Sequence, residues 1–175
     1  MGADQVYFAA AGDTEAAEAL IRPGGPLGWP EVVGHRRVGF LRKEPVVTEL
    51  GPAYDGFAVD GYDPVVSMGT LEALLTGRSY DAVAEHPRQG GTVSPDPPEG
   101  RLVVTLTDTL RDALASADDD RLADVARAWG ETEELADGDR GPAPAGAHLE
   151  FLRRLRALAR RATDSGQSLY CYWTW

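Results

Sequence analysis

The sequence predicts a single α+β domain with a mixed or antiparallel sheet, helices packed on one face, and a C-terminal helix followed by a terminal strand. The clearest indication is the C-terminus, where residues 148–163 have an amphipathic helical pattern and "SLYCYWTW" at 168–175 follows a glycine-containing break. In addition, strand-like and helix-like segments are interspersed along 175 residues, a length typical of one domain.

The first half of the chain alternates short elements with turns. Asp13 is predicted to cap a first helix after an N-terminal strand, and Gly77 is predicted to end a later one. The predicted strands of this half are Val6–Ala10, Arg37–Leu41, Val46–Leu50 and Phe57–Val59, and the later helices are Gly69–Leu75 and Ser79–Glu85.

The second half is more helical. A strand is predicted at Leu102–Leu106, and Thr107 or Asp108 is predicted to cap the helix after it. The next helix begins near Asp118-Asp119-Asp120, where acidic residues suit the positive end of the helix dipole. Its buried stripe is Leu122, Val125, Ala126 and Trp129. The stripe of the last helix is Phe151, Leu152, Leu155, Leu158, Ala159 and Ala162.

The terminal strand raises a choice between core and binding platform. In an extended chain, one face carries Leu169, Cys171, Trp173 and Trp175, and the other carries Tyr170, Tyr172 and Thr174. Aromatic stacking platforms for nucleic acid lie in positively charged grooves, and this chain is acidic. We therefore expect Cys171 and Trp173 to receive the last helix, and we keep Tyr170 and Tyr172 as candidates to line a surface depression.

Charge and composition restrict the partners. The formal net charge is −11, and Lys43 is the only lysine beside sixteen arginines. A field of that sign disfavours nucleic acid and anionic membranes, and favours a basic partner. No apolar run reaches the roughly 20 residues of a membrane span, and no secretory signal is visible, so we expect a cytoplasmic protein. Nothing in the sequence indicates the oligomeric state.

Catalytic and metal-binding motifs are not found in the sequence. The three histidines, His35, His86 and His148, are far apart, and the lone Cys171 is expected to be inert within the strand. No cofactor and no metal are therefore predicted. The arginines of the last helix are predicted to form a solvated face, and some of them to make internal ion pairs. They are Arg153, Arg154, Arg156, Arg160 and Arg161.

One glycine-punctuated stretch, residues 54–63, is the best candidate site. It gathers carboxylates and tyrosines, although Asp-Gly pairs are also typical of turns, and both interpretations remain open. The predicted helices that carry Glu72, Arg78 and Tyr80 add further polar groups, and Trp129 is a candidate for one wall of the site. The candidate binding residues are Tyr54, Asp55, Asp60, Asp63, Glu72, Arg78, Tyr80 and Trp129.

A segment next to this stretch carries a family resemblance. "LEALLTGRS" at 71–79 resembles a Leu-His-x-x-Leu-Thr-Gly-x-Ser segment of the YfbM-like family, small bacterial proteins of unknown function, and the N-terminal Tyr7-Phe8-Ala9 is also similar. The chain departs from that pattern at Met68, where the family tends to have Trp, and at Glu72, where it has His. The resemblance implies an α+β fold and a cytoplasmic bacterial protein, and it implies no activity.

Two functions remain open at this point. The first is a non-enzymatic acidic protein that binds another, basic protein, in the manner of immunity proteins or antitoxins. The alternative is a small-molecule-binding protein or enzyme with its site near residues 54–80.

Overall fold

The computed structural model describes residues 4–28, 31–39, 42–48, 51–136, 144 and 146–175. Within them the strands are β1 Asp4–Ala10, β2 Glu31–Val38, β3 Arg42–Thr48, β4 Gly56–Val59, β5 Arg101–Thr105 and β6 Ser168–Thr174. The helices are α1 Asp13–Glu18, α2 Val66–Thr76, α3 Tyr80–Ala84, α4 Asp108–Ser116, α5 Asp119–Gly130, α6 Glu133–Ala136 and α7 Ala147–Asp164, with a 3₁₀ helix at Gly25–Leu27. The predicted α+β class is confirmed.

Four strands form one antiparallel sheet in the order β4-β1-β6-β5. The N-terminal strand β1 lies in its centre, with Tyr7 paired to Phe57 of β4 on one side and to Cys171 of β6 on the other. On the far side of β6, Cys171 faces Val104 of β5. The first and last strands of the described chain, β1 and β6, are therefore neighbours in the middle of the sheet.

The longer helices cover one face of this sheet. Every residue of the stripe predicted for α7 is buried, and the stripe shares a core with Cys171 and Leu169 of β6 and with Tyr7 of β1. The expectation that the last helix packs on its own terminal strand is confirmed at Cys171, whereas Trp173, which was also expected to receive the helix, is only partly buried and is not part of this core. When the amphipathic helix packs on the apolar face of the strand, each removes the apolar surface of the other from water. This burial is the main stabilising contribution in such a fold.

The terminal strand itself is buried on both faces for most of its length. Tyr170 and Tyr172 lie under α1 and the 3₁₀ helix, so the expectation that they line a surface depression is wrong. The backbone approaches closely there, because a Cβ on Gly25 would lie 3.0 Å from the Tyr172 ring. Trp173 is only partly buried and Trp175 is 69% exposed, because β6 ends at Thr174.

Strands β2 and β3 form a hairpin that is a sheet of its own. The predicted strand at 37–41 coincides with β2 only at Arg37 and Val38, because β2 ends at Val38 and Gly39, with a φ of 74°, begins the turn. The predicted strand at 46–50 overlaps the end of β3. Residues 40, 41, 49 and 50 of these two predictions lie outside the described part of the chain.

Helix starts follow the predicted caps with one exception. Thr107 caps α4 through a hydrogen bond from the Leu110 amide, and Asp118 caps α5. Asp13 does not cap α1; it lies inside the helix and accepts hydrogen bonds from Arg88 and from the Tyr170 hydroxyl. None of the helices in the described ranges combines the length and apolarity of a membrane span.

Candidate functional site

The first two predicted site residues have separate structural contacts. The Tyr54 hydroxyl donates to the backbone carbonyl of Glu15 at 2.8 Å, and its ring meets Phe8 edge-on. Asp55 makes a two-point ion pair with Arg161, with N–O distances of 2.6 and 2.9 Å. Tyr54 thus anchors α1, and Asp55 anchors the end of α7.

The next two carboxylates also lie apart. Asp60 is exposed and makes no hydrogen bond or ion pair with the described residues. One oxygen of Asp63, Oδ1, accepts from the backbone amides of Val65 at 2.9 Å and Val66 at 2.5 Å. Asp63 therefore satisfies amides at the start of α2, where the helix dipole also favours a negative charge.

Glu72 and Arg78 are the one predicted pair that the fold brings together. Glu72 is fully buried; its Oε2 accepts from the Thr107 hydroxyl, while its Oε1 lies 3.8 Å from Nη1 of Arg78 and has no hydrogen-bond partner in the described part of the chain. The same Thr107 oxygen accepts from the Leu110 amide at 3.0 Å. The positive end of α4 thus offsets part of the cost of burying this carboxylate.

The two predicted aromatic residues differ in burial. Tyr80 is 40% exposed and lies against Gly69 of α2. Trp129 is fully buried, donates from Nε1 to the Ser67 carbonyl at 3.1 Å, and stacks on Tyr62. Apart from the Glu72–Arg78 pair, the predicted residues therefore do not converge on one site, and Asp60 makes no hydrogen bond or ion pair with the described residues.

A cavity of about 490 Å³ lies between α5, α6 and the start of α7. Its volume is within the range of small-molecule or side-chain pockets. Apolar groups from all three helices line it: Ala123, Ala126, Leu135, Ala136 and Leu149. Polar groups at its wall are Arg127, Glu131 and His148.

His148 connects this cavity to the core. Its Nδ1 lies 3.2 Å from the Tyr62 hydroxyl, and Tyr62 in turn stacks on Phe151 with ring centroids 4.0 Å apart. Burial lowers the pKa of His148 and raises the pKa of Tyr62, and both shifts favour the neutral form of the side chain. Sequence spacing could not reveal this pair, because 86 residues separate its members.

Carboxylates lie on the exposed side of α5 and α6, and one of them, Glu131, lines the cavity. We call this the acidic α5–α6 face, formed by Asp120, Asp124, Glu131 and Glu133. Three of them make no ion pair with any residue that the structure describes, whereas Asp124 lies 2.7 Å from Arg127. Positions 120, 124, 127 and 131 fall on one side of α5 because they are three or four residues apart.

The arginines that could neutralise this face are held elsewhere. Arg156 donates to the Ala117 carbonyl at the end of α4 and pairs with Asp119 at 2.6 Å. Arg160 donates to the carbonyls of Ala115 and Ala117. Together with the Asp55–Arg161 pair, these contacts confirm the prediction that some arginines of the last helix make internal ion pairs. Guanidinium groups at the C-terminal carbonyls also suit the negative end of α4.

No protein-family model, no curated protein and no solved structure matches this chain. The resemblance of 71–79 to the YfbM-like family therefore stays a prediction, and the functional argument depends on the geometry of the chain itself.

Proposed function

We propose that this protein acts by binding another protein of basic character, and that the acidic α5–α6 face is the binding surface. The observation that supports this is that the unpaired carboxylate of Glu131 lines a largely apolar cavity, while Asp120 and Glu133 are exposed on the same two helices. Protein interfaces combine an apolar centre with a polar rim, and this face has that arrangement in the free chain. We further propose a cytoplasmic setting, in keeping with the acidic composition.

The two parts of the face have different roles. The cavity, lined by Ala126, Leu135 and Leu149, would take an apolar side chain of the partner as an anchor. The carboxylates of Asp120, Glu131 and Glu133 would attract arginine or lysine residues around that anchor, and mainly raise the rate and specificity of association. Immunity proteins and antitoxins of the acidic type bind a partner of this kind. Their carboxylates cover the active surface of a basic effector protein and so neutralise it.

The alternative is a small-molecule site near residues 54–80, and one observation favours it: the unpartnered Oε1 of the buried Glu72. A ligand there would have to donate a hydrogen bond to Glu72 beside Arg78. We favour the protein-binding function, because Tyr54, Asp55 and Asp63 are already occupied by contacts within the chain.

The test is an NMR titration of the ¹⁵N-labelled full chain with a synthetic peptide that alternates arginine and leucine. We expect the largest amide shifts at Ala123, Arg127, Gly130 and Glu131, and none at Glu72. The variant Glu131→Lys with Glu133→Lys should weaken binding at least about tenfold, since two rim attractions become repulsions.

The matched control reverses two exposed carboxylates away from the face, Glu99→Lys with Asp164→Lys, and so has the same net charge. It should bind the peptide within about twofold of the unaltered chain, because charges beyond about 8 Å are screened at physiological ionic strength. An equal loss of peptide affinity in both variants would mean that net charge, and not this face, determines binding. Amide shifts centred on Glu72 would favour the alternative site near residues 54–80.

A further inference from the structure

The β2–β3 hairpin exposes the residues that a sheet normally buries. No other strand in the described part of the chain pairs with it. Val32 is 53% exposed and Val47 is 48% exposed, although they pair directly across the two strands. An isolated two-stranded hairpin is marginally stable in water, so contact with another surface would stabilise it.

The register divides the hairpin into two faces of different charge. Cross-strand partners share a face, and successive residues alternate except at a register shift between Val32 and Gly34, which places Val32 on the same face as His35. On one face Glu44 lies 3.9 Å from Arg36 and 3.7 Å from Arg42, so cation and anion are mixed. The other, which we call the basic hairpin face, consists of Val32, His35, Arg37, Lys43, Pro45 and Val47.

The basic hairpin face contains an unfavourable pair. Arg37 lies directly opposite Lys43, and neither makes an ion pair with any residue of the described ranges. Like charges opposite each other destabilise a strand pair. Beyond the intervening His35–Pro45 pair, the face becomes apolar at the Val32–Val47 pair. Its complement is therefore a surface with carboxylates beside an apolar depression.

We infer that the basic hairpin face binds the acidic α5–α6 face of a second copy of this chain. This inference rests on the proposed function, and it names one partner for that same surface. Val32 and Val47 would cover the apolar cavity, and Arg37 and Lys43 would meet carboxylates such as Glu131.

A second copy is favoured because one chain carries both halves of the complementary pair. Two copies can therefore exchange hairpins reciprocally, which closes the contact as a two-fold dimer and leaves neither face unpaired. The net charge of −11 opposes the approach of two copies. At physiological ionic strength that repulsion is screened beyond about 8 Å, so local complementarity decides the contact.

The experiment is sedimentation equilibrium of the full chain from low micromolar to near-millimolar concentration, with two charge-reversal variants. Hairpin reversal is Arg37→Glu with Lys43→Glu, and face reversal is Glu131→Lys with Glu133→Lys. We expect the unaltered chain to dimerise, and each variant alone to weaken the dimer at least tenfold. An equimolar mixture of the two variants should dimerise again, because each acidic hairpin then meets a basic face and each basic hairpin an acidic one.

The control Arg153→Glu, at an exposed position on α7, should dimerise like the unaltered chain. A chain that stays monomeric while it binds the arginine–leucine peptide would overturn the inference and leave the proposed function standing. A monomeric chain that also fails to bind the peptide would overturn both. A dimer that survives both reversals, or a monomer whose hairpin binds an oligonucleotide, would also overturn the inference.

Discussion

The helix-covered sheet and the β2–β3 hairpin use the same residue types in opposite ways. Val103 in the sheet is fully buried, whereas Val47 in the hairpin is half exposed. Arg156 in the helical layer reaches both Asp119 and the Ala117 carbonyl, whereas Arg37 in the hairpin faces a lysine. In these examples the sheet region buries its valine and pairs its arginine within the chain, whereas the hairpin leaves both residue types exposed.

Substitutions at two tryptophans, one buried and one exposed, should differ most in their effect on the free energy of unfolding. Trp129→Ala removes a fully buried ring that stacks on Tyr62 and donates to the Ser67 carbonyl, so we expect the free energy of unfolding to fall by about 3–5 kcal/mol. Trp175→Ala, at the exposed end of the chain, should change it by less than about 0.5 kcal/mol. Urea denaturation followed by far-ultraviolet circular dichroism measures both; equal losses would mean that Trp175 is packed in solution.

Two valines test whether the hairpin is unpartnered in the free chain. Val103→Ala shortens a fully buried side chain of β5, and we expect a loss of about 1–2 kcal/mol of stability. Val47→Ala should cost less than about 0.5 kcal/mol at concentrations where the chain is monomeric. The same denaturation experiment applies, and a loss at Val47 as large as that at Val103 would show that the hairpin already packs on its own chain.

Substitutions at two carboxylates, Asp13 and Glu44, should differ least in their effect on stability. The Arg88 guanidinium, with help from the Tyr170 hydroxyl and against the effect of burial, lowers the pKa of Asp13. The stabilisation is therefore present above the unfolded-state pKa of about 3.9 and is lost as the pH falls through the lower folded-state value. Because Asp13 is half exposed, we expect Asp13→Asn to cost less than about 1 kcal/mol at pH 7.

The pH profile distinguishes this carboxylate from one in the hairpin. Asp13→Asn should flatten the decline of stability below about pH 4, because the substituted side chain no longer takes up a proton. The matched change Glu44→Gln removes only long contacts to Arg36 and Arg42, so its stability at pH 7 should match that of the unaltered chain. An unchanged acid profile in Asp13→Asn would mean that the pair with Arg88 does not form in solution.

Much of the fold follows from local patterns. The stripe of α7, a cap at Thr107 or Asp108 and the burial of Cys171 were all predictable, because each follows from a pattern of residues close together in the chain. Predictions failed where contacts with residues distant in sequence overrode the local structural preference of a residue. Asp13 is a good capping residue, but Arg88 and Tyr170 hold its side chain instead.

The candidate site was less predictable than the fold. Composition drew attention to the tract at 54–63, yet Asp55 and Asp63 proved to hold elements of the fold in place. His148 lines the cavity, and the hydrogen bond between His148 and Tyr62 joins residues that are 86 positions apart. No spacing rule links such residues, so only their approach in the folded chain identifies them.

The sequence by itself determined which helix and strand faces are apolar, and that acid exceeds base, since periodicity and composition are properties of the linear chain. Only the tertiary structure decided which carboxylates are neutralised. Arg156 and Arg161 are fixed on Asp119 and Asp55, while Glu131 remains unpaired within the described residues. The physical reason is that an ion pair needs its two groups within about 4 Å, and that distance is set by packing between elements far apart in sequence.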